Sequence, residues 1–178
     1  EVISDRSYQD TYSDPGNFVT QDNEYGRSVL TLVDGHAYLM GDGFSDKGQF
    51  PFIDKINLAT QETERIYESA YTDKLEDLQK VLDIESGNVL VRIEAPTEYP
   101  NYYIRNLNDN SLDQITAFEN PFKSIQDVHK ELITYKRENG LELSGTLYLP
   151  VGYDMEKKEK KPMLLWAYPR EYKDKNSA

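Results

Sequence analysis

The sequence has no cysteine, which excludes disulfides and thiolate zinc sites and leaves an exported, periplasmic or cytoplasmic location equally open. Long apolar runs are also missing. None approaches the ~20 residues that span a bilayer, so no membrane partner is expected. Positive charge is scarce: 20 Lys and Arg stand against 32 Asp and Glu, for a net charge of −12 and a pI near 4.6. Such a surface repels phosphate backbones and anionic headgroups, which argues against nucleic acid as a partner. The start, Glu1-Val2-Ile3, has no methionine, basic region or apolar segment and reads as an internal cut or a mature end. Nor is there a Gly-x-Ser-x-Gly string, the turn that carries a hydrolase nucleophile.

What the chain does have is aromatic residues suited to strands. Fourteen tyrosines and six phenylalanines accompany one tryptophan, and such side chains fit a pleated, half-buried surface. The 178 residues suffice for one domain and part of another. A repeat organises the first two thirds: Pro51, Leu58 and Ile66 recur as Pro100, Leu107 and Ile115, each 49 positions on. A period near 50 with strands inside each unit is a propeller-blade pattern. The spacing predicts strands over 27–33, 36–40, 52–58 and 63–68, then over 79–84, 88–95, 102–107 and 112–118. Asp34-Gly35 predicts a hairpin turn, and Ser86-Gly87-Asn88 supplies another. Residues 73–82 read either as a linker entering a strand or as a short helix, with Leu75, Leu78 and Leu82 on one face. Residues 4–25 read as a surface loop.

After Asn120-Pro121 the pattern changes. Residues 121–129 form a connector, 130–136 alternate, Asn139-Gly140 predicts a two-residue turn, 141–149 return, and 163–167 predict a short buried strand. The segments Tyr135-Lys136-Arg137-Glu138-Asn139-Gly140, Gly145-Thr146-Leu147-Tyr148-Leu149-Pro150 with Gly152-Tyr153, and Leu164-Leu165-Trp166-Ala167-Tyr168-Pro169-Arg170-Glu171 resemble the opening of the peptidase domain in the prolyl oligopeptidase family. Its glutamyl-endopeptidase-like branch is the nearest likeness, and Tyr12-Ser13-Asp14-Pro15-Gly16 with Asn23-Glu24-Tyr25-Gly26-Arg27 is similar to that branch as well.

The resemblance implies a mainly β architecture. Residues 1–120 would be the last part of a β-propeller, with four-stranded antiparallel blades over about 27–68 and 79–118. Residues 130–178 would be the truncated start of an α/β-hydrolase domain. It implies a serine peptidase acting on oligopeptides, with the blades gating access and a preference for acidic side chains. Its nucleophile, acid and histidine would all lie downstream, so this chain alone is expected to be inactive. Tyr168 occupies the position of the family's oxyanion-hole tyrosine, where one donated hydrogen bond stabilises the tetrahedral intermediate; packing under the sheet is the other use open to it.

Other chemistry-bearing residues favour plain roles. His36 follows a turn and His129 sits in the connector. The loop Asp42-Gly43-Phe44-Ser45-Asp46-Lys47-Gly48 fails the calcium-loop pattern, with Phe44 at its third position and Ile53 at its twelfth. Asn106, Asn108, Asn110 and Asp113 read as a polar turn, and Tyr99, Tyr102 and Tyr103 as packing residues more than a sugar- or peptide-binding platform. Neither a cofactor nor a metal is expected. The partners expected are a peptide substrate for the parent enzyme and, through the exposed hairpin at 133–149, a second copy. A stand-alone β-rich module binding glycan or protein is the alternative function.

Overall fold

The computed structural model describes residue 2 and residues 4–157 and 159–167. It divides into two compact units, one reaching to Glu119 and another beginning at Asn120. In the first unit, strands β1 (Asn17–Phe18), β2 (Thr20–Asp22), β3 (Ser28–Leu30), β4 (His36–Gly41), β5 (Phe44–Ser45), β6 (Gly48–Gln49), β7 (Phe52–Asn57) and β8 (Thr63–Glu68) precede β9 (Leu75–Asp83), β10 (Asn88–Ala95), β11 (Glu98–Asn106) and β12 (Leu112–Gln114). Two four-stranded antiparallel sheets result, in the orders β1-β4-β7-β8 and β12-β11-β10-β9. The short pairs β2–β3 and β5–β6 stand apart from them.

Alternation of side chains across each strand sets the core. On β10, Val89, Val91 and Ile93 point inward and are buried. They join Val19, Tyr38, Ile53, Leu78 and Val81 in a cluster drawn from both sheets. The opposite parity on the first sheet gives a smaller cluster of Ala37, Leu39 and Ile56, against which Phe18 packs.

The 49-residue spacing has a structural counterpart in the turns. Asn57 N–H donates to the Glu62 carbonyl at 2.9 Å, and Asn106 N–H to that of Ser111 at 3.0 Å. The Asn57 Oδ1 accepts from the N–H groups of Ala59 and Thr60; that of Asn106 accepts from Asn108 and Asp109. Each turn then places a non-glycine residue, Gln61 or Asn110, at φ 63°. An asparagine cap and a left-handed residue therefore close the same hairpin twice. Asp34 and Gly35, at φ 49° and 75°, form a two-residue turn with positive φ at both centres.

The second unit contains a 3₁₀ turn (Lys123–Ile125) and the antiparallel hairpin of β13 (His129–Lys136) and β14 (Glu142–Leu149). Its turn differs from the two-residue form that Asn139-Gly140 predicts. Gly140 N–H donates to Arg137 O, and Arg137 N–H to Leu141 O, each at 2.8 Å. Gly140 alone takes positive φ, at 83°. A three-residue loop with a left-handed glycine satisfies the same sequence.

Several other expectations are corrected. The fold class of propeller blades leading into an α/β-hydrolase domain does not hold. The sheets are open and not closed into a propeller, and the described residues include no α-helix, only the 3₁₀ turn. An α/β sheet needs parallel strands joined by crossover helices, whereas each pairing here is antiparallel. The predicted strand at 163–167 is absent, and Met163, Leu164, Leu165 and Trp166 are exposed. A short apolar run has no period of its own, so it cannot reveal whether anything covers it. The stretch read as a loop at 4–25 contributes β1 and β2 and buries Val19, whose N–H donates to Tyr38 O at 2.8 Å. It displaces 27–33 from the first sheet; β3 pairs with β2 instead. Residues 75–83 are strand.

The contrast between the units predicts a stability difference. Ile53 is fully buried in the first, so Ile53→Ala should cost about 2–5 kcal/mol in urea unfolding. Leu132 of the hairpin is 70% exposed, and Leu132→Ala should change stability by less than about 0.5 kcal/mol.

Candidate functional site

The first unit holds two arrangements of charged side chains that the sequence reading missed. One is buried. Glu76 on β9 and Arg105 on β11 are 1% and 5% exposed, and the Arg105 Nε donates to Glu76 Oε1 at 2.6 Å. The other carboxylate oxygen accepts from the Tyr67 hydroxyl at 2.5 Å. The remaining guanidinium nitrogens donate to Tyr71 Oη at 3.2 Å and to the Asn110 carbonyl and Oδ1 at 3.2 and 3.1 Å. Tyr67 belongs to the first sheet, Tyr71 to the link after it, and Glu76 and Arg105 to the second sheet. Burial, with Glu76 as the accepting neighbour, raises the Tyr67 phenol well above its ordinary value.

The second arrangement is open to solvent. An open cleft of about 680 Å³ lies between the loop carrying Tyr12 and Asp14 and the β5–β6 arm carrying Phe44. Its floor is Phe52, Asp54 and Arg65. The Arg65 guanidinium lies 3.8 Å from the Phe52 ring centroid. It donates to both oxygens of Asp54, at 2.5 and 3.3 Å, and to Glu68 at 2.5 Å. The side chain of Asp54 is 12% exposed and that of Arg65 42%. Gly43 turns the arm at φ 64°, where an added Cβ would fall 1.8 Å from the Phe50 carbonyl oxygen, so only glycine fits. With its cation stacked and paired, the floor is a fixed surface flanked by the exposed rings of Tyr12 and Phe44. That geometry can hold an extended segment; at its wall the Ser13 hydroxyl donates to Asp10 Oδ2 at 2.6 Å, and Asp10 Oδ1 accepts from the backbone of Tyr12 and Ser13, which ties the pair into a turn.

The residues singled out from sequence fall elsewhere. Tyr168 lies outside the described residues. His36 directs Nδ1 to the Asp34 carbonyl at 2.8 Å and Nε2 to the Asn57 amide at 3.4 Å, which makes it part of a turn. His129 lies on the hairpin with Nε2 3.5 Å from Glu131. Asp42 and Asp46 flank the β5 strand at the cleft arm, and among the described residues no group of three or more His, Asp or Glu could hold a metal. Asn106 also donates to Ser86 O and Asn88 Oδ1, Asn108 to Ser86 O, and Tyr103 packs against the core. One signal pointed to the buried pair: Glu76 shares the parity of inward-facing Leu78. A register shift after Leu78 then re-aims the strand so that Val81 is inward as well.

Two measurements test these arrangements. Arg105→Met strands a buried carboxylate and should cost about 3–5 kcal/mol, whereas the half-exposed Arg65→Met should cost about 1 kcal/mol or less. Tyr67 is neutral in the folded state and ionises more readily in the unfolded chain. Its contribution is therefore complete below its ordinary pKa of 10.0 and is lost as pH rises beyond it. Alkaline unfolding should be less steep in Tyr67→Phe, measured by urea titrations between pH 8 and 11.

No protein-family model matches the chain. Its sequence is 34% identical over 191 aligned positions to an Arabidopsis thaliana protein named "Probable glutamyl endopeptidase, chloroplastic", covering 99% of this chain and 20% of that one. A protein of the same name from Oryza sativa subsp. japonica is 33% identical, with the same coverage. Among solved structures, the isopeptidase AtxE2 covers 75% of this chain at 14% identity and a TM-score of 0.35, a likeness too slight to carry an argument. No helix of the described residues is long and apolar enough to cross a membrane. The chain thus spans about one fifth of the length of the curated relatives it matches, and over that span it belongs to the glutamyl-endopeptidase-like serine peptidase family.

Proposed function

We propose that this chain is a non-catalytic, β-rich segment of a peptidase, and that it binds peptide or protein through the cleft above Phe52 and Arg65. The observation that carries this reading is the cleft itself: an open groove of about 680 Å³ with exposed aromatic walls over a floor already satisfied by its own ion pairs. A peptide is favoured over a glycan because the relatives are named as endopeptidases. For the parent protein, hydrolysis of peptide bonds in oligopeptides by a serine-type mechanism, with peptides as substrates, belongs to the same proposal. Tyr168 as an oxyanion-hole donor remains part of it too.

The experiment pairs turnover with binding. The 178-residue chain should release no product from fluorogenic oligopeptides, including glutamyl ones. The same peptides, labelled, should show saturable fluorescence polarisation. Phe44, 40% exposed on the cleft arm, should be dispensable for folding, and Phe44→Ser should weaken binding at least fivefold. Peptide cleavage that follows the chain through every purification step would overturn the non-catalytic reading. Binding unchanged in Phe44→Ser would remove the cleft from it.

A further inference from the structure

Arg65 reaches the cleft because β8 is bulged. Ile53 pairs with Tyr67 and Asp54 with Arg65, so Ile66 is an extra residue opposite the Ile53–Asp54 step. Strict alternation would put Arg65 and Tyr67 on one face of the strand. The bulge instead sends Tyr67 to Glu76 in the interior and Arg65 to the side of Phe52 and Asp54. Bulges commonly re-aim a side chain in this way next to active sites.

The guanidinium so placed has its edge engaged and a flat face turned from Phe52 toward the cleft it lines. Its other face rests on the Phe52 ring, 3.8 Å from the centroid, and Phe52 is itself buried. In the plane, Nε and Nη2 donate to Asp54 and Nη1 donates to Glu68. Two carboxylates therefore share one cation. A ligand carboxylate approaching that edge would be set beside both of them, and like charges at such range repel. The face opposite Phe52 carries no such conflict. A guanidinium plane stacks on aromatic rings, and the exposed rings of Tyr12 and Phe44 line the same cleft. The other lining cation, Lys47, stands in the β5–β6 turn next to Asp46 and not on the floor.

We propose that this face of Arg65 is an aromatic-residue subsite. It takes a Phe, Tyr or Trp side chain of a bound peptide, which completes a stack of Phe52, Arg65 and the ligand ring. The inference rests on the peptide-binding reading of the cleft and adds which side chain its floor selects. Asp54 and Glu68 disfavour an acidic side chain there, and an aliphatic one gains contact area without stacking on the cation.

Fluorescence polarisation with labelled peptides of one backbone, varied at a single position, tests the subsite. Phe at that position should bind at least fivefold tighter than cyclohexylalanine, which keeps the ring's bulk without its π-electrons, and tighter than Glu by more. In Arg65→Met, Phe and cyclohexylalanine should come within twofold of each other, with both still bound. A second readout needs no variant: the Arg65 Nε–H resonance should move upfield by ring current when the Phe peptide is added, and not with the cyclohexylalanine peptide. Tightest binding by the Glu peptide, equal binding of Phe and cyclohexylalanine to the unaltered chain, or an Arg65 resonance indifferent to the Phe peptide would overturn the subsite and leave the cleft reading standing. Failure of every peptide in the set to bind would overturn both.

Discussion

A carboxylate with 1% exposure between two β-sheets is tolerable only if its oxygens find donors, and each oxygen of Glu76 has one. Arg105 and Tyr67 approach its two oxygens from different sheets. Tyr71 and Asn110 occupy what the guanidinium has left. Desolvating two ions costs several kcal/mol each, and their attraction recovers that only with good geometry and complete satisfaction. Among the described residues no buried side-chain N or O atom lacks a partner. The net contribution to stability is therefore small, but any misalignment of the sheets would break several bonds together. The apolar cluster around Ile53 and Val91 supplies the driving force; the ion pair restricts which packing of the two sheets that force can select.

Asp54 and Arg65 resemble this pair in chemistry and differ in setting. Arg65 is 42% exposed along its side chain, so solvent screens the interaction and little stability rests on it. What the pair provides is a fixed orientation. Stacking on Phe52 and three donated hydrogen bonds leave the guanidinium little rotational freedom. A ligand in the cleft above would meet a surface that needs no reordering, which lowers the entropic cost of binding.

Period-two alternation and turn chemistry made much of this structure legible in the sequence. Asp34-Gly35 specified a turn with positive φ at both centres because few residue pairs adopt it. The 49-residue spacing found Leu58 and Leu107, which follow the asparagines that cap equivalent turns. Val89 and Val91 alternated clearly enough to mark an inner strand. Less legible was whatever depends on a partner remote in sequence. Val19 is buried only because Tyr38 and Thr31 bracket it, and nothing in 4–25 announces that. The pairing of Glu76 with Arg105 spans 29 positions, and each residue alone looks like any exposed charge. The likeness of 163–167 to a buried strand rested on apolar content, which records affinity for a cover and not its presence.

The two units illustrate opposite solutions to the same constraint. A β-strand carries polar backbone on both edges, and a sheet exposes whatever is not paired. In the first unit two open four-stranded sheets keep their edges, and their hydrophobic faces meet each other. In the second, eight residue pairs hold β13 to β14, and the face that carries Leu143, Leu147 and Leu149 is only half-buried. A lone two-stranded hairpin is marginal in water, and a third or fourth strand is what makes such a face stable. The charged side chains of β13, Lys130, Glu131 and Lys136, oppose addition of a strand there, whereas the run from Leu143 to Leu149 carries none.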